Sequence, residues 1–148
     1  MKKSITLFIS LIISAVFIVG CSSSDNSVIK EDKLEDLALK EAKKIATEQG
    51  YSLKSDKKDS YTDVLIGDSE VFNLIKEASI KYGYSEDDFN SMTEDRKILS
   101  YELNEKSKKD KGINLCLVID KENVIGAYLD YEDYTPGIEP VNFKDNFK

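Results

Sequence analysis

The segment INLCLVID at residues 113–120 restricts the fold of this chain more than any other. Successive side chains of a β-strand point to opposite faces of the sheet. One face of this strand carries Ile113, Leu115, Leu117 and Ile119, and the other carries Cys116 and Val118. A strand that is apolar on both faces is normally central in its sheet and covered on both sides. The segment therefore predicts a buried central strand.

Further strands are predicted on either side of it. In KILSYELNE (97–105), Leu99, Tyr101 and Leu103 share one face. After the turn DKEN, the segment VIGAYLDY (124–131) returns antiparallel, and a four-residue loop places Ile119 opposite Val124. That register puts Leu117 opposite Gly126 and Cys116 opposite Ala127, unless Gly126 marks a bulge. YTDVLIG (61–67) predicts an earlier strand at the sheet edge, and residues 51–53 a further short one.

Two main helices precede the three consecutive strands. Apolar residues at helical spacing predict a helix over roughly 30–49 that ends at Gly50. A second helix starts at the capping residues Asp68 and Ser69 and ends at Gly83. Its buried stripe is predicted to be Val71, Leu74, Ile75, Ala78 and Tyr82, and a short helical turn after Ser85 is predicted to bury Phe89. The expected fold is α+β: an antiparallel sheet of about four strands, with a three-strand C-terminal meander and two main helices packed on a face.

The first twenty residues have the pattern of an export signal. Lys2 and Lys3 precede a run of sixteen residues without charge, from Ile5 to Gly20. A secretory signal has a basic start and an apolar region of roughly 7–15 residues, whereas a membrane-spanning helix needs about 20. The length of the run falls between the two, so it does not decide between a cleaved signal and an uncleaved anchor. Both place the rest of the chain outside the cytoplasm, because positive flanks stay inside.

Ile18-Val19-Gly20-Cys21 resembles the lipobox of bacterial lipoproteins. The resemblance implies cleavage between Gly20 and Cys21, and a diacylglycerol on the Cys21 thiol. One acyl chain gives only a marginal membrane anchor, whereas two chains, such as those of palmitate, give a stable one. The expected domain organisation is a signal peptide (1–20), a lipidated tether (21–29), one α+β domain (30–135) and an irregular C-terminal tail (136–148).

The charge of the mature chain argues against nucleic acid as a partner. Subtracting Lys2 and Lys3 from 21 basic residues leaves 19 against 28 acidic ones, a net charge of −9 over residues 21–148. Phosphate binding needs clustered lysine and arginine, and Arg96 is the chain's single arginine. The expected partners are the membrane, through the lipid on Cys21, and a protein of the cell envelope.

The residue types predict a non-catalytic protein without a cofactor. The chain has no histidine, which removes the usual general base and the usual metal ligand. Cys116 lies between two leucines and is expected to be an inert core thiol. Ser55 lies near Lys57 and Lys58 in a charged loop, where solvation is more plausible than a Ser–Lys dyad. No metal site is predicted, and the acidic, tyrosine-containing segment 130–134 is either a polar strand end or a weak cation site.

Residues from about 50 to 131 resemble a small uncharacterised domain family of Gram-positive exported proteins. The family has a helix ending in Gly-Trp, an amphipathic helix ending in glycine, an aromatic-rich strand and a hairpin like INLCLVIDKENVIGAYL. Here Tyr51 replaces the tryptophan, and Ala127 replaces the second glycine of the hairpin. Since the family has no assigned activity, the resemblance implies an α+β fold and no site residues.

The sequence thus predicts a membrane-anchored extracytoplasmic lipoprotein that acts as a non-catalytic binding or interaction module. Tyrosine is enriched at protein interfaces, so Tyr128, Tyr131 and Tyr134 form the candidate interaction surface. The alternative is an accessory lipoprotein that binds a small ligand or a weak cation in a pocket. An enzyme is the third hypothesis, and it would need two facing carboxylates or a buried lysine in a pocket.

Overall fold

A computed structural model describes residues 24–61, 69–145 and 147–148 of the chain. Within these residues there are three helices: α1 (Ser24–Gln49), α2 (Glu70–Tyr82) and α3 (Glu86–Asn90). The described residues also form five strands: β1 (Asp59–Tyr61), β2 (Arg96–Glu102), β3 (Ile113–Asp120), β4 (Asn123–Tyr131) and β5 (Ile138–Glu139). All neighbouring strands are antiparallel, in the order β1-β2-β3-β4-β5. The α+β prediction is confirmed, with five strands where about four were expected. Helix α3 is the short helical turn predicted after Ser85, and its Phe89 is buried as predicted.

Helix α1 covers one face of the sheet, which we call the first face. Ala38, Ala42 and Ala46 recur every four residues on the buried side of α1, and their small side chains bring the helix close to the strands. Opposite them lies an unbroken apolar surface that includes Leu115 and Leu117 of β3. The alternation predicted for residues 113–120 is confirmed, because all four residues of that face lie in this core and are at most 1% exposed.

Helices α2 and α3 cover part of the opposite face, which we call the second face. Ile75, Ala78 and Phe89 pack there against Cys116 and Val118 of β3. The sequence predicted that the helices pack on a face of the sheet; instead, α1 and α2 lie on opposite faces. The physical reason is that β3 is apolar on both faces, so each face needs its own cover.

Both glycine-terminated helices end in the same hydrogen-bonded cap. The amides of Gly50 and Tyr51 donate to the carbonyls of Thr47 and Ala46, at 3.1 and 2.7 Å. At the end of α2 the amides of Gly83 and Tyr84 donate to the carbonyls of Ile80 and Ser79, at 3.0 and 3.1 Å. This is the Schellman arrangement, and both glycines have positive φ angles, 73° and 127°. The shared cap explains why a glycine begins both Gly-Tyr-Ser sequences, at 50–52 and 83–85.

The β3–β4 hairpin contains a bulge that changes the predicted register. Ile119 pairs with Val124 as expected, but the register shifts at the next pair, so that Val118 lies opposite Gly126 and Leu117 opposite Ala127. The predicted pairings of Leu117 with Gly126 and of Cys116 with Ala127 are therefore wrong by one residue. Ile125 is the extra residue, which makes a bulge at this point of β4.

The C-terminal segment packs onto the domain. Strand β5 pairs with β4, and Val141 is completely buried in the core of the first face. The Tyr51 hydroxyl donates to the Val141 carbonyl at 2.7 Å, and the ring of Phe147 stacks on Tyr51 with 4.9 Å between ring centroids. The segment after residue 135, expected to be an irregular tail, is mostly irregular but forms part of the fold.

The observed ends of two further elements differ from the predicted ones. Helix α1 begins at Ser24, within the segment expected to be a tether. Strand β1 ends at Tyr61, and the rest of the strand predicted at 61–67 lies outside the described residues. The lipobox predicted at residues 18–21, with Gly20 and Cys21, lies outside them as well. Of the short strand predicted at 51–53, one bridge between Leu53 and Leu103 is present. No helix among the described residues is long and apolar enough to cross a bilayer.

Candidate functional site

The second face of the sheet changes from apolar to polar along the strands. At the end covered by α2, Ile98 pairs with Val118, and both are completely buried. Two residues further along each strand, Ser100 pairs with Cys116. Another two residues on, Glu102 pairs with Asn114, which pairs in turn with Asp130. We call these last three residues the polar row.

The polar row places an amide between two carboxylates on three adjacent strands. Directly opposite residues of antiparallel strands have Cβ atoms about 4.5–5.5 Å apart. Asn114 of β3 therefore lies beside both Glu102 of β2 and Asp130 of β4. Because these positions alternate with the buried leucines of the first face, the sheet itself fixes the direction of the three side chains.

An open cleft of about 900 Å³ lies over the polar row. Its floor consists of Ser100, Glu102, Asn114, Tyr128 and Asp130. One wall is the loop with Ser55, Lys57, Lys58 and Asp59; the other walls are the first turns of α2, at Val71 and Ile75, and the segment 131–138. The volume falls within the range of roughly 300–1,000 Å³ that is usual for ligand sites.

Asp130 is the carboxylate of the cleft whose charged form the protein stabilises least. It lies half-buried on the floor, and burial, together with the nearby negative charge of Glu132, raises the pKa of its carboxyl above the ordinary value. No described residue donates a hydrogen bond to this carboxylate. The charged form of Asp130 is therefore disfavoured in the free protein, because it has lost water and gained no donor.

The other ionised groups of the cleft mostly have partners. Glu102 forms ion pairs with Lys54 at 2.7 Å and Lys106 at 3.4 Å, which lower the pKa of its carboxyl. The Gly112 amide donates to Glu132 at 3.0 Å. Lys58 forms an ion pair with Glu35 of α1, so its charge is directed away from the cleft.

The structure does not bring the three predicted tyrosines onto one exposed surface. Tyr128 is 2% exposed in the core of the second face, and Tyr131 is 1% exposed in the core of the first face. The two lie on opposite faces because they are three residues apart in one strand. Tyr134 is half-buried; its ring stacks on Tyr131 and its hydroxyl donates to Glu139 at 3.0 Å. All three nevertheless border the cleft.

The side chains considered for catalysis form hydrogen bonds within the fold. Cys116 is completely buried, and its thiol lies 3.5 Å from the Ser100 hydroxyl, to which it donates. The Ser55 hydroxyl accepts a hydrogen bond from the Lys57 amide at 3.2 Å, as in an ordinary turn. Within the described residues, no three carboxylate or thiol groups are placed so that they could hold a metal ion.

Sequence reasoning missed Asn114 as a site residue and considered Asp130 only as part of an acidic segment. The signal for Asn114 was available, because it has the same strand parity as Cys116 and Val118. It is thus a polar residue directly next to two apolar ones on the same face of the strand. No family model, no curated protein and no solved structure matches the chain.

Proposed function

We propose that this protein is an extracytoplasmic lipoprotein, anchored to the cell membrane through Cys21, whose domain binds a small polar ligand in the cleft without chemical change. The lipobox pattern at residues 18–21 supports the anchor, and the absence of histidine from the sequence supports a non-catalytic role. The cleft does contain two carboxylates, Glu102 and Asp130, but the strand that carries Asn114 separates them, and Glu102 is already paired with Lys54 and Lys106. The proposal joins the binding module expected from the sequence to a particular site. It favours the small-ligand alternative over the protein partner.

The observation that carries the proposal is the open cleft over the polar row. Elsewhere the sheet is covered by helices, with Ile98, Leu115 and Val118 completely buried. At this end of the second face the strands keep the same pairing but present an amide, a hydroxyl and carboxylates to a cleft of about 900 Å³. A concave site with a few convergent polar groups is the usual form of a small-molecule site.

The exposed surface gives less support to a protein partner. The centre of a protein–protein interface is normally apolar and rich in large side chains. Among the described residues, Leu37 of α1 is the one large hydrophobic side chain that is exposed, at 46%. A single such leucine is ordinary for a protein surface.

Ligand binding in the cleft is tested with a substitution that fills the cleft. Full-length protein, purified in a mild detergent, is screened by thermal shift against cationic, neutral and anionic small molecules, including sugars, amino acids and polyamines. An Asn114→Phe variant fills the floor of the cleft, and Lys40→Phe places the same ring on the exposed side of α1 as a control. We expect a ligand to raise the Tm of the wild type and of Lys40→Phe but not of Asn114→Phe. Equal shifts in all three proteins, or none with any class, would overturn the proposal.

The anchor is tested separately on intact cells. A full-length tagged chain should incorporate a fatty-acid analogue and remain with the membrane fraction, and a Cys21→Ala strain should do neither. Lysine-directed cross-linking of the same two strains tests the competing proposal of a cell-envelope protein partner. A discrete partner that is lost with Cys21→Ala and retained with Asn114→Phe would support that competing function and place its surface outside the cleft.

A further inference from the structure

We infer that the ligand of the cleft carries a protonated amino group, which binds over the floor between Asn114 and Asp130. This inference rests on the proposed function and narrows it to one chemical class. It is carried by the shape of the floor, the placement of charges around it and the number of acceptors that face one point.

Some of the charged side chains around the cleft already form ion pairs within the protein, and others do not. Four carboxylates line it, at Asp59, Glu102, Asp130 and Glu132, against the lysines Lys57 and Lys58. Glu102 already binds two lysines that are not part of the lining, and Lys58 binds Glu35. The groups left to interact with a ligand are therefore mainly negative, which favours a cation over an anion.

The floor offers an ammonium group two adjacent acceptors. An ammonium group has three donors and no acceptor. Asp130 and Asn114 are directly paired across β4 and β3, so a carboxylate oxygen and an amide oxygen lie within reach of one such group. The third donor of the ammonium remains available to water or to other groups of the ligand. The Ser100 hydroxyl also lines the floor, one residue pair further along the sheet, where it can contact another part of the ligand.

An amine also fits the state of Asp130 in the free protein. The carboxylate is half-buried and no described residue donates to it, so it has lost hydration without compensation. A charge-assisted hydrogen bond from an ammonium would supply that compensation. A metal ion fits less well, because calcium needs six to eight oxygen ligands and the described residues hold no group of three acidic or thiol side chains arranged for a metal.

The remaining volume suits a polar body attached to the amine. The cleft is far larger than an ammonium group, and its other lining groups include the hydroxyls of Ser55 and Thr135. These groups can bind hydroxyl or carbonyl groups of a ligand. Amino sugars and amines of similar size are the chemistry that this combination recognises.

The test uses a matched pair of probes that differ in charge. Uniformly ¹⁵N-labelled full-length protein in detergent micelles is titrated with glucosamine and with N-acetylglucosamine, in which the same ring has lost the ammonium. Spermidine and glutamate serve as a longer cation and as an anionic probe. Amide chemical shifts of residues 114, 128 and 130 report the cleft, and those of α1 report non-specific effects.

We expect the amine probes to shift the cleft amides in a saturable way, with at least tenfold weaker binding in Asp130→Asn. An Asp36→Asn variant, which removes one exposed charge from α1, should bind like the wild type. Equal binding of N-acetylglucosamine, or equal affinity in Asp130→Asn, would overturn the amine inference and leave the proposed function standing. Cleft shifts with glutamate alone would do the same. If no probe shifts the cleft amides while every variant is folded, the amine inference fails. The thermal-shift screen that compares the wild type with Asn114→Phe then decides the proposed function.

Discussion

The two faces of the sheet in this protein are formed by the same strands but are covered to different extents. The first face carries a continuous apolar core from Ile113 to Ile119 of β3, and α1 and the C-terminal segment close it. The second face is apolar where α2 and α3 pack and polar where the cleft opens. Since both faces share one backbone, the difference comes only from alternate side chains. It teaches that one set of strands can close a core on the first face and still leave part of the second face open as a cleft, the part for which we propose binding.

The comparison is tested most directly at two neighbouring residues of β3. Leu115 faces the first face and is completely buried, so Leu115→Ala should reduce the free energy of unfolding by about 3 kcal/mol. Asn114 faces the cleft, so Asn114→Ala should change the same quantity by less than about 0.5 kcal/mol. Urea denaturation of both variants measures the difference. Similar losses for the two would show that the polar row is part of the structural core and would contradict the division between the faces.

The next largest effect is expected where α2 and α3 meet the second face. A Cβ at Gly126 would lie 2.5 Å from the Phe89 ring and 2.7 Å from the Ser79 hydroxyl. Gly126→Ala should therefore overpack this contact and reduce the free energy of unfolding by about 2 kcal/mol.

A double-mutant cycle provides the control for this contact. Combined with Phe89→Leu, the alanine at 126 should cost less than it does alone, because the smaller side chain leaves room for the new methyl group. Additive losses would show that the approach of Phe89 is not the reason for the glycine, and would leave the contact with Ser79 or the bulge at Ile125 as the cause. Gly112→Ala serves as a comparison, since there the added Cβ meets only the end of the Glu132 side chain.

A smaller effect is expected at the start of α2, the helix that separates the covered part of the second face from the cleft. The Ser69 hydroxyl accepts a hydrogen bond from the Phe72 amide at 3.1 Å and caps the helix. Ser69→Ala should reduce the free energy of unfolding by about 1 kcal/mol. Hydrogen exchange should show faster exchange in the first turn of α2, next to Val71, with β3 unchanged. Ser69→Asp, which keeps a capping oxygen, should behave like the wild type.

The smallest effect is expected at Asp130 and has the opposite sign. The folded state raises the pKa of this carboxyl, so its contribution to stability is complete below the unfolded pKa of about 3.9 and is lost as pH rises through the folded pKa. Asp130→Asn removes the titration, so its Tm should exceed that of the wild type at pH 7, and the gain should shrink toward pH 3. Thermal melts of both proteins across this range, with Asp36→Asn as control, measure the trend. A lower Tm for Asp130→Asn at pH 7 would indicate that the carboxylate stabilises the fold.

Local patterns predicted the three helices, strands β2 to β4 and the residues of the first face, but not strand β5. The period-two alternation of residues 113–120 correctly assigned the residues that pack against α1, and Gly50 and Gly83 correctly marked the ends of two helices. These features depend on residues close in sequence. The apolar residues on both faces of β3 indicated cover on both sides, and Gly126 raised the alternative of a bulge. The local pattern did not specify which helix covers which face or whether the register shifts, because both depend on packing.

The cleft was less accessible to sequence reasoning for the same reason. Glu102, Asn114 and Asp130 lie on three strands, and only the register brings them side by side. Each of them alone looks like an ordinary polar residue near a strand end. Tyrosine content directed attention to Tyr128, Tyr131 and Tyr134 instead, although their spacing places Tyr131 on the face opposite Tyr128.

The early start of α1 has a consequence for the lipid-anchored protein proposed above. The helix runs for 26 residues from Ser24, only three positions after Cys21, and at about 1.5 Å per residue it is about 39 Å long. A helix resists bending in a way that a flexible polar linker does not. Its axis would then link the height and tilt of the domain above the bilayer to the attachment point, and the cleft would sample ligands in a defined layer near the membrane surface.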